Sequence, residues 1–184
     1  MKLEIIIAST RPGRRGLPVA EWFADVAKGF QGFEVSISDL AKINLPLLDE
    51  PNEPNLQQYT KEHTKAWAEK INAADAFVFV MPEYNHNAPA SLINALDYLY
   101  KEWNYKPVGF VSYGGISGGM RSVQSIKPLV TSLKMMPVYE AVNIINVKTL
   151  LDDEVFQATE QQVKSANTLL TELQRWATAL KTMR

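Results

Sequence analysis

The sequence contains no cysteine and only two histidines among its 184 residues. The absence of cysteine excludes disulfides, thiolate catalysis and cysteine-based zinc or iron–sulfur sites. With His63 and His86 as the only imidazoles, a histidine metal site is not expected either, and we predict no bound metal. The net charge of -1 gives no general bias towards nucleic acid or a membrane surface, so neither is an expected partner.

Long apolar runs are also missing. No run approaches the length of a membrane span. The N-terminal run, Leu3 to Ile7, is too short for the core of a signal peptide and contains Glu4. We therefore predict a cytoplasmic protein with no membrane partner. A length of 184 residues suits one full hydrophobic core, so we expect a single domain over residues 1–184.

Apolar runs typical of strands alternate with amphipathic runs typical of helices, which indicates βαβ units and a parallel sheet. The expected fold class is α/β, with five parallel strands in the order 2-1-3-4-5. The predicted strands are Lys2–Ala8, Phe33–Ser38, Ala76–Val80, Val108–Ser112 and a short one near Val138–Val142. The first two predicted helices cover about Arg15–Phe30 and Leu56–Ala73. The third begins at about Pro89, the fourth ends at about Met135, and the final helix begins near Asp153.

Three further features of the sequence lead to predictions. The segment Ala41–Asn55 is long for a loop in a compact domain, so we expect it to form a pocket edge or a subunit contact. Trp176 is expected on the inner face of the final helix. An aromatic group in the middle of the chain is expected at a subunit interface, the alternative being the core. Its members are Tyr98, Tyr100, Trp103 and Tyr105.

The turn after the first strand, Ala8–Gly16, combines two hydroxyls with three arginines in front of a predicted helix. Such a turn presents free backbone N–H groups at the helix N-terminus, where the helix dipole favours an anion. Hydroxyl and guanidinium groups add donors suited to a phosphate. We therefore predict a phosphate-binding loop; the alternative is a solvated basic turn that binds nothing. The candidate donors are Ser9, Thr10, Arg11, Arg14 and Arg15.

Two further turns, Met81–Ala88 and Tyr113–Gly119, follow the third and fourth strands. Loops that follow parallel strands lie at one edge of the sheet, and open α/β sheets bind ligands there, where the strand order reverses. Tyr84 offers a flat face and Asn85 an amide, while Tyr113 stands beside two glycines that permit close backbone approach. These features would complement a flat heteroaromatic ring with polar edges. In the alternative interpretation, the glycines only form a turn and the tyrosines only pack.

Taken together, these turns resemble those of the NADPH-dependent FMN reductase family, which has a flavodoxin-like fold. The similarity extends from the first strand through the helix that follows Gly119. The motifs that carry it are Ser9-Thr10-Arg11 with its basic turn, Pro82-Glu83-Tyr84-Asn85-His86, and Ser112-Tyr113-Gly114-Gly115 with Ser117-Gly118-Gly119. The resemblance implies a three-layer flavodoxin-like sandwich that binds FMN and uses NADPH or NADH as co-substrate.

The resemblance also implies a role for each motif. Ser9, Arg11 and the turn Arg14-Arg15-Gly16 would hold the FMN phosphate, with the choice of donors among the arginines left open. The residues that would line the isoalloxazine ring are Pro82, Glu83, Tyr84 and Asn85. Those that would border its other edge are Tyr113, Gly114, Gly115 and Ser117. The electron acceptor would be a small molecule such as a quinone, a free flavin, an azo dye or a metal oxyanion. The protein would form a homodimer or homotetramer.

No catalytic acid or base is assigned, because the hydride chemistry belongs to the flavin. Two alternatives remain open at this stage. The same fold could serve as an FMN-binding electron carrier or a flavin-dependent regulatory module without NAD(P)H turnover of its own. More remotely, Gly115-Ile116-Ser117-Gly118-Gly119 fits the G-x-S-x-G pattern of a hydrolase with Ser117 as nucleophile, although both histidines precede that serine.

Overall fold

In the computed structural model, which describes all 184 residues, five parallel strands form one sheet in the order β2-β1-β3-β4-β5. This order confirms the predicted fold class. Residues at the ends of neighbouring strands are brought into register, for example Ile7 with Asp39 and Pro82 with Tyr113. The strands are β1 (Lys2–Ile7), β2 (Glu34–Asp39), β3 (Ala76–Pro82), β4 (Pro107–Tyr113) and β5 (Met136–Ile144).

Helices cover both faces of the sheet. One face packs against the first and last helices, and the other packs against the four helices between them. The helices are α1 (Gly16–Gly29), α2 (Leu40–Ile43), α3 (Glu62–Ala73), α4 (Ala90–Asp97), α5 (Met120–Ser132) and α6 (Glu160–Leu180). None of them is both long and apolar enough to cross a membrane.

The alternation of side chains along each strand divides the apolar residues into two cores. Phe77 and Phe79 of β3 point to the α3–α4–α5 face, whereas Val78 and Val80 point to the α1–α6 face. Every residue of β3 and β4 is buried, as expected for strands covered on both sides. The edge strand β2 is largely exposed at its start and buried only at its end, at Ser38 and Asp39.

Two helices begin later than the sequence indicates, and each delay has a local cause. The helix predicted from Leu56 begins at Glu62, because the Glu50 carboxylate accepts hydrogen bonds from the backbone N–H groups of Thr60 and Lys61 and holds them outside the helix. The final helix begins at Glu160 rather than Asp153. A capping box formed by Thr159 and Gln162 sets that start.

A small antiparallel hairpin precedes α6 and was not predicted. Its strands are β6 (Leu151–Asp152) and β7 (Val155–Phe156). Asp153 and Glu154 connect them with φ values of 43° and 65°, the left-handed pair that a tight hairpin turn requires. Phe156 packs edge-on against Trp22 of α1 at 5.1 Å between ring centroids, so the segment after β5 is held against the first helix.

Two predictions about aromatic residues are wrong. Tyr98 and Trp103 are fully buried within the single chain, so they belong to the core and not to a subunit interface. The Trp103 ring packs against Phe77, and its indole N–H donates to the Leu96 carbonyl oxygen, which satisfies its polar edge. Trp176 of α6 does not face the sheet as expected and is 37% exposed.

Candidate functional site

A cavity of about 440 Å³ lies at the carboxyl edge of the sheet, where the turns after β1, β3, β4 and β5 meet. Its size is that of a pocket for a small organic ligand. Nine residues predicted for the site line it: Arg11, Arg14, Arg15, Pro82, Glu83, Tyr84, Tyr113, Gly114 and Gly115. The three predicted turns therefore converge on one space.

Arg14 braces the turn after β1. Its guanidinium forms a two-pronged ion pair with Asp39 at the end of β2, with both nitrogen–oxygen distances 2.5 Å. It also donates to the Ser9 carbonyl oxygen at 2.7 Å. The hydrogen bond to Asp39 raises the pKa of Arg14, so the guanidinium stays charged. The charge of Arg14 is thus already balanced within the protein.

The remaining donors of this turn have no partner in the protein. The backbone N–H groups of Ser9, Thr10, Arg11, Gly13 and Arg15 donate no hydrogen bond. The guanidinium groups of Arg11 and Arg15 form neither a hydrogen bond nor an ion pair, although both line the cavity. An array of unpaired N–H groups and cations at a helix N-terminus is a binding site for an anion.

The turn after β3 is a tight two-residue reversal. Tyr84 and Asn87 exchange two backbone hydrogen bonds of 3.0 Å, and between them Asn85 and His86 have φ values of 50° and 66°. A turn with two left-handed residues favours asparagine at the first position. The hydroxyls of Tyr84 and Ser9 are hydrogen-bonded at 2.6 Å, which links the β3 turn to the β1 turn across the cavity.

Glu83 links the turns after β3 and β4. Its carboxylate accepts hydrogen bonds from the Ser117 hydroxyl at 2.7 Å and from the backbone and side chain of Arg121, each at 3.1 Å. Burial by itself would raise the pKa of Glu83, but the hydrogen bonds from Ser117 and Arg121 outweigh it and lower the pKa. The Arg121 guanidinium also contacts His86 Nε2 at 3.0 Å. We call Glu83, Ser117 and Arg121 the carboxylate clamp.

The turn after β5 also reaches the cavity. The sequence did not lead us to expect this turn at the site. Backbone hydrogen bonds from Asn146 to Gly115 and from Val147 to Gly114 fold this turn back over the β4 turn. Its residues in the cavity lining are Asn146, Val147, Lys148 and Thr149. The rule that loops after parallel strands share one edge could have identified it, had the last strand been predicted to extend to Ile144.

Five predicted site residues do not line this cavity. Thr10 lines a separate cavity of about 220 Å³ beside α4, although its backbone N–H is free. Ser9 and Gly16 lie buried beneath the turn, Asn85 occupies the β3 reversal, and Ser117 belongs to the clamp. The Ser117 hydroxyl donates to a carboxylate and approaches neither histidine, so this geometry offers no support for a nucleophilic serine.

Gly16, the first residue of α1, permits a close approach to Tyr113. A Cβ atom at this position would lie 2.6 Å from the Tyr113 hydroxyl oxygen and 3.3 Å from an Ile7 methyl group. Tyr113 is 4% exposed, and its hydroxyl has no hydrogen-bond partner. An unpaired buried hydroxyl is uncommon in proteins and marks a place where a partner is missing.

The donor set fits FMN. Free N–H groups and two unpaired guanidiniums at the start of α1 match a phosphate monoester, and Gly16 leaves the space beside them free of a side chain. The adjoining cavity between the β3 and β4 turns offers Tyr84 and two glycine backbones to a flat ring. An order of 2-1-3-4-5 with a site at the β1/β3 reversal defines an FMN-binding protein of the flavodoxin type.

Comparison with known proteins gives the family. Residues 1–149 match the model of the NADPH-dependent FMN reductases, and the chain belongs to that family. An NAD(P)H-dependent FMN reductase of Schizosaccharomyces pombe is 45% identical over 136 residues, which cover 73% of this chain and 68% of the relative. A quinone reductase of Pseudomonas putida is 29% identical over 138 residues, covering 71% and 70% of the two chains.

A solved structure supports the fold. The flavoenzyme NAD(P)H:(acceptor) oxidoreductase FerB of Paracoccus denitrificans superposes with a TM-score of 0.75 at 16% identity, covering 97% of both chains. The predicted family, the flavodoxin-like fold, the enzyme class and the use of FMN with NAD(P)H are confirmed. The assignment of individual residues to the flavin stays a prediction.

Proposed function

We propose that this chain binds FMN in the 440 Å³ cavity and passes a hydride from NADPH or NADH to a small-molecule acceptor, a quinone in the first instance. One observation carries the proposal: a cluster of unpaired anion donors at the start of α1 adjoins a cavity bordered by Tyr84 and the Gly114–Gly115 backbone. The quinone reductase named among the relatives supports the choice of acceptor. A free flavin or an azo dye would be reduced by the same chemistry.

The turn after β1 would bind the phosphate end of FMN. The backbone N–H groups of Thr10, Arg11 and Gly13, which are free, would donate to the phosphate oxygens. The guanidiniums of Arg11 and Arg15 would add charge-assisted hydrogen bonds. Arg14 has a different role, because its ion pair with Asp39 holds the turn in shape and leaves little charge for the ligand.

The turns after β3 and β4 would hold the ring end. Pro82 and Tyr84 would border one side of the isoalloxazine, with Gly114 and Gly115 on the other. The clamp from Glu83 to Ser117 fixes the distance between these turns before any ligand enters. FMN, when bound, supplies the hydride chemistry itself. The protein contributes binding, orientation and local charge, and no side chain of the cavity is needed as a proton donor.

An exposed apolar rim would receive the acceptor. Ile116, 83% exposed, projects from the β4 turn beside the cavity, and Tyr84 is partly exposed on the opposite turn. A flat, weakly polar quinone would contact both side chains while it stacks on the bound ring. NADPH or NADH would occupy the same open face in turn, since electron donor and acceptor both have to approach the flavin.

We also propose that the protein forms a homodimer or homotetramer. Leu47, 83% exposed, and Leu48 lie on the segment Ala41–Asn55, which the sequence analysis assigns to a pocket edge or a subunit contact. Burial of these leucines against a second copy would remove apolar surface from water. Size-exclusion chromatography with light scattering would measure the assembly. A cytoplasmic location stays a prediction from the sequence.

An absorption experiment tests the function directly. The purified protein is mixed with FMN, freed of excess flavin, and titrated anaerobically with NADPH and then with a quinone. We expect a bound-flavin spectrum that bleaches on NADPH and recovers on quinone addition. Bound flavin that neither nicotinamide bleaches would indicate an electron carrier or a regulatory module, and the absence of bound flavin would contradict the proposal.

A further inference from the structure

The hydroxyl of Tyr113 lies far from the strand that carries it. Tyr113 ends β4, whereas its hydroxyl oxygen is next to Gly16 at the start of α1 and close to the end of β1. The strand β3 lies between β1 and β4 in the sheet, so the phenol ring crosses the edge of the sheet beneath the cavity. The side chain thereby connects the ring end of the site with the phosphate end.

This hydroxyl is a buried side-chain polar group at the start of α1 that lacks a hydrogen-bond partner. The neighbouring Ser9 hydroxyl is hydrogen-bonded to Tyr84 at 2.6 Å, and its geometry towards Tyr113 is not that of a hydrogen bond. A buried hydroxyl without a partner costs roughly 1–3 kcal/mol, so its position needs a compensating interaction in some state of the protein. A phenylalanine would fill the same space without that cost.

The charges around the hydroxyl suit an anionic partner. Burial and the neighbouring Tyr84 raise the pKa of the Tyr113 phenol above its ordinary value, while Ser9 and the charges of Arg14 and Arg11 act in the opposite direction. The phenol therefore stays neutral at physiological pH and remains a hydrogen-bond donor. Arg11 and Arg15 form no hydrogen bond or ion pair that holds their side chains in place, so both can adjust when a phosphate binds at the start of α1.

We propose that the Tyr113 hydroxyl donates a hydrogen bond to the phosphate group of FMN and makes the site selective for FMN over riboflavin. The buried, unpaired hydroxyl at the N-terminus of α1 carries this inference, which rests on the proposed function. Tyr113 then acts at both ends of the site: its ring forms the floor of the cavity, and its oxygen completes the phosphate site.

The test compares two flavins on two variants. Kd values for FMN and for riboflavin are measured by flavin fluorescence for the wild type, Tyr113→Phe and Tyr139→Phe, the last a control because Tyr139 is 91% exposed on β5. We expect Tyr113→Phe to weaken FMN about 10- to 100-fold, the range for a hydrogen bond to a charged group, and to leave riboflavin unchanged. The control should change neither.

Thermal unfolding adds a readout that does not depend on turnover. Removal of an unpaired buried hydroxyl should leave the apoprotein Tm of Tyr113→Phe equal to or above that of the wild type. The rise in Tm on addition of FMN should nevertheless be smaller in the variant. A lower apoprotein Tm would mean that the hydroxyl has a structural partner, and it would overturn the inference.

Gly16 supplies a second, independent variant. In Gly16→Ala, the new methyl group would displace the hydroxyl oxygen 2.6 Å away, so FMN should bind more weakly. With phenylalanine at position 113 the nearest ring carbon is 3.5 Å away, and an Ile7 methyl group at 3.3 Å is the closest contact that remains, so the double variant should bind FMN only slightly more weakly than Tyr113→Phe alone. If the losses of FMN affinity caused by Gly16→Ala and Tyr113→Phe add up in the double variant, the two substitutions do not act through the same hydroxyl group.

The outcomes separate the inference from the function on which it rests. If the wild type binds no FMN, the proposed function fails. If the wild type binds FMN but Tyr113→Phe weakens FMN and riboflavin equally, the hydroxyl acts on the ring or on the shape of the cavity, and the inference alone fails. If Tyr113→Phe changes neither the affinity for FMN nor the ratio of the FMN and riboflavin affinities, the inference also fails.

Discussion

The polar groups at one end of the cavity have hydrogen-bond partners within the protein, whereas most of those at the other end have none. Between the β3 and β4 turns, Glu83 accepts hydrogen bonds from Ser117 and Arg121, which leaves little hydrogen-bonding capacity unused. In the β1 turn, most backbone N–H groups and the guanidiniums of Arg11 and Arg15 are unpaired. Both ends are built from short turns after parallel strands, so the difference lies in the side chains and not in the fold.

This contrast separates what holds the site together from what the site binds. Groups that satisfy one another stabilise the empty protein and keep the turns in place, which lowers the cost of ordering them when a ligand arrives. Groups without partners contribute to stability only when a ligand supplies the partner. Variants at the paired positions should therefore alter folding, and variants at the unpaired positions should alter binding.

The largest effect should come from Arg14, the paired arginine of the β1 turn. Arg14→Ala leaves the Asp39 carboxylate buried without its cation, because only 7% of that side chain is exposed. Breaking a buried pair in this way should lower the free energy of unfolding by about 3 kcal/mol. Urea denaturation followed by circular dichroism measures this, with Arg15→Ala as the matched control, for which a change within about 0.5 kcal/mol is expected. If Arg14→Ala and Arg15→Ala lower the free energy of unfolding equally, the ion pair of Arg14 does not stabilise the protein more than the unpaired Arg15 does.

Arg11, an unpaired arginine of the same turn, should show the converse behaviour. Arg11→Ala should weaken FMN binding by roughly 1–3 kcal/mol, the scale of a charge-assisted contact, because its guanidinium is free for the phosphate. The stability of the apoprotein should not change, since no hydrogen bond or ion pair is lost. Fluorescence titration with FMN measures the affinity, with Arg175→Ala on α6 as a control. An unaltered FMN affinity would place Arg11 outside the site.

The same contrast explains what sequence reasoning could predict. The buried strands and the three turns were identifiable because β3 is continuously apolar and because the turns have distinct compositions: arginines after β1, Tyr84 and Asn85 after β3, and glycines after β4. The unpaired donors of the β1 turn follow from local geometry alone, since any strand–turn–helix junction leaves backbone N–H groups free. Prediction succeeded where a short stretch of chain determines the outcome.

Pairings between distant residues were not predictable in this way. Arg14 meets Asp39 only because β1 and β2 align Ile7 with Asp39, and strand register is not visible in a single sequence. The Ser117 hydroxyl donates to Glu83 of the turn after the neighbouring strand β3, a pairing that the sequence does not reveal. The hairpin before α6 was missed because Asp153 and Glu154 also suit the first turn of a helix.

The carboxylate clamp gives a smaller effect with a defined pH dependence. Glu83→Gln weakens the hydrogen bonds from Ser117 and Arg121 and should lower stability by about 1–2 kcal/mol at pH 7. The pKa of Glu83 is lowered in the folded protein, so its contribution is present above the ordinary value of 4.5 and is lost as the pH falls through and below that value. The difference between variant and wild type should therefore shrink on acidification.

Unfolding curves between pH 7 and pH 3 measure this difference. Glu62→Gln is the control, because Glu62 is an exposed glutamate whose partner is the nearby Lys65. It should show a small effect at every pH, since exposed ion pairs contribute little. A Glu83→Gln effect that stays constant down to pH 3 would mean that the carboxylate charge is not what holds the two turns together.

The smallest effect is expected at Ser117, and it distinguishes a paired hydroxyl from a reactive one. Ser117→Ala removes one donor from Glu83 but leaves both bonds from Arg121 in place, so stability should fall by about 1 kcal/mol. The variant should keep its bound flavin and most of its NAD(P)H-dependent quinone reduction, because Ser117 only supports the turn. Flavin content and quinone turnover measure this, together with a general esterase assay. Complete loss of an esterase activity, in a protein that binds no flavin, would instead identify Ser117 as a nucleophile.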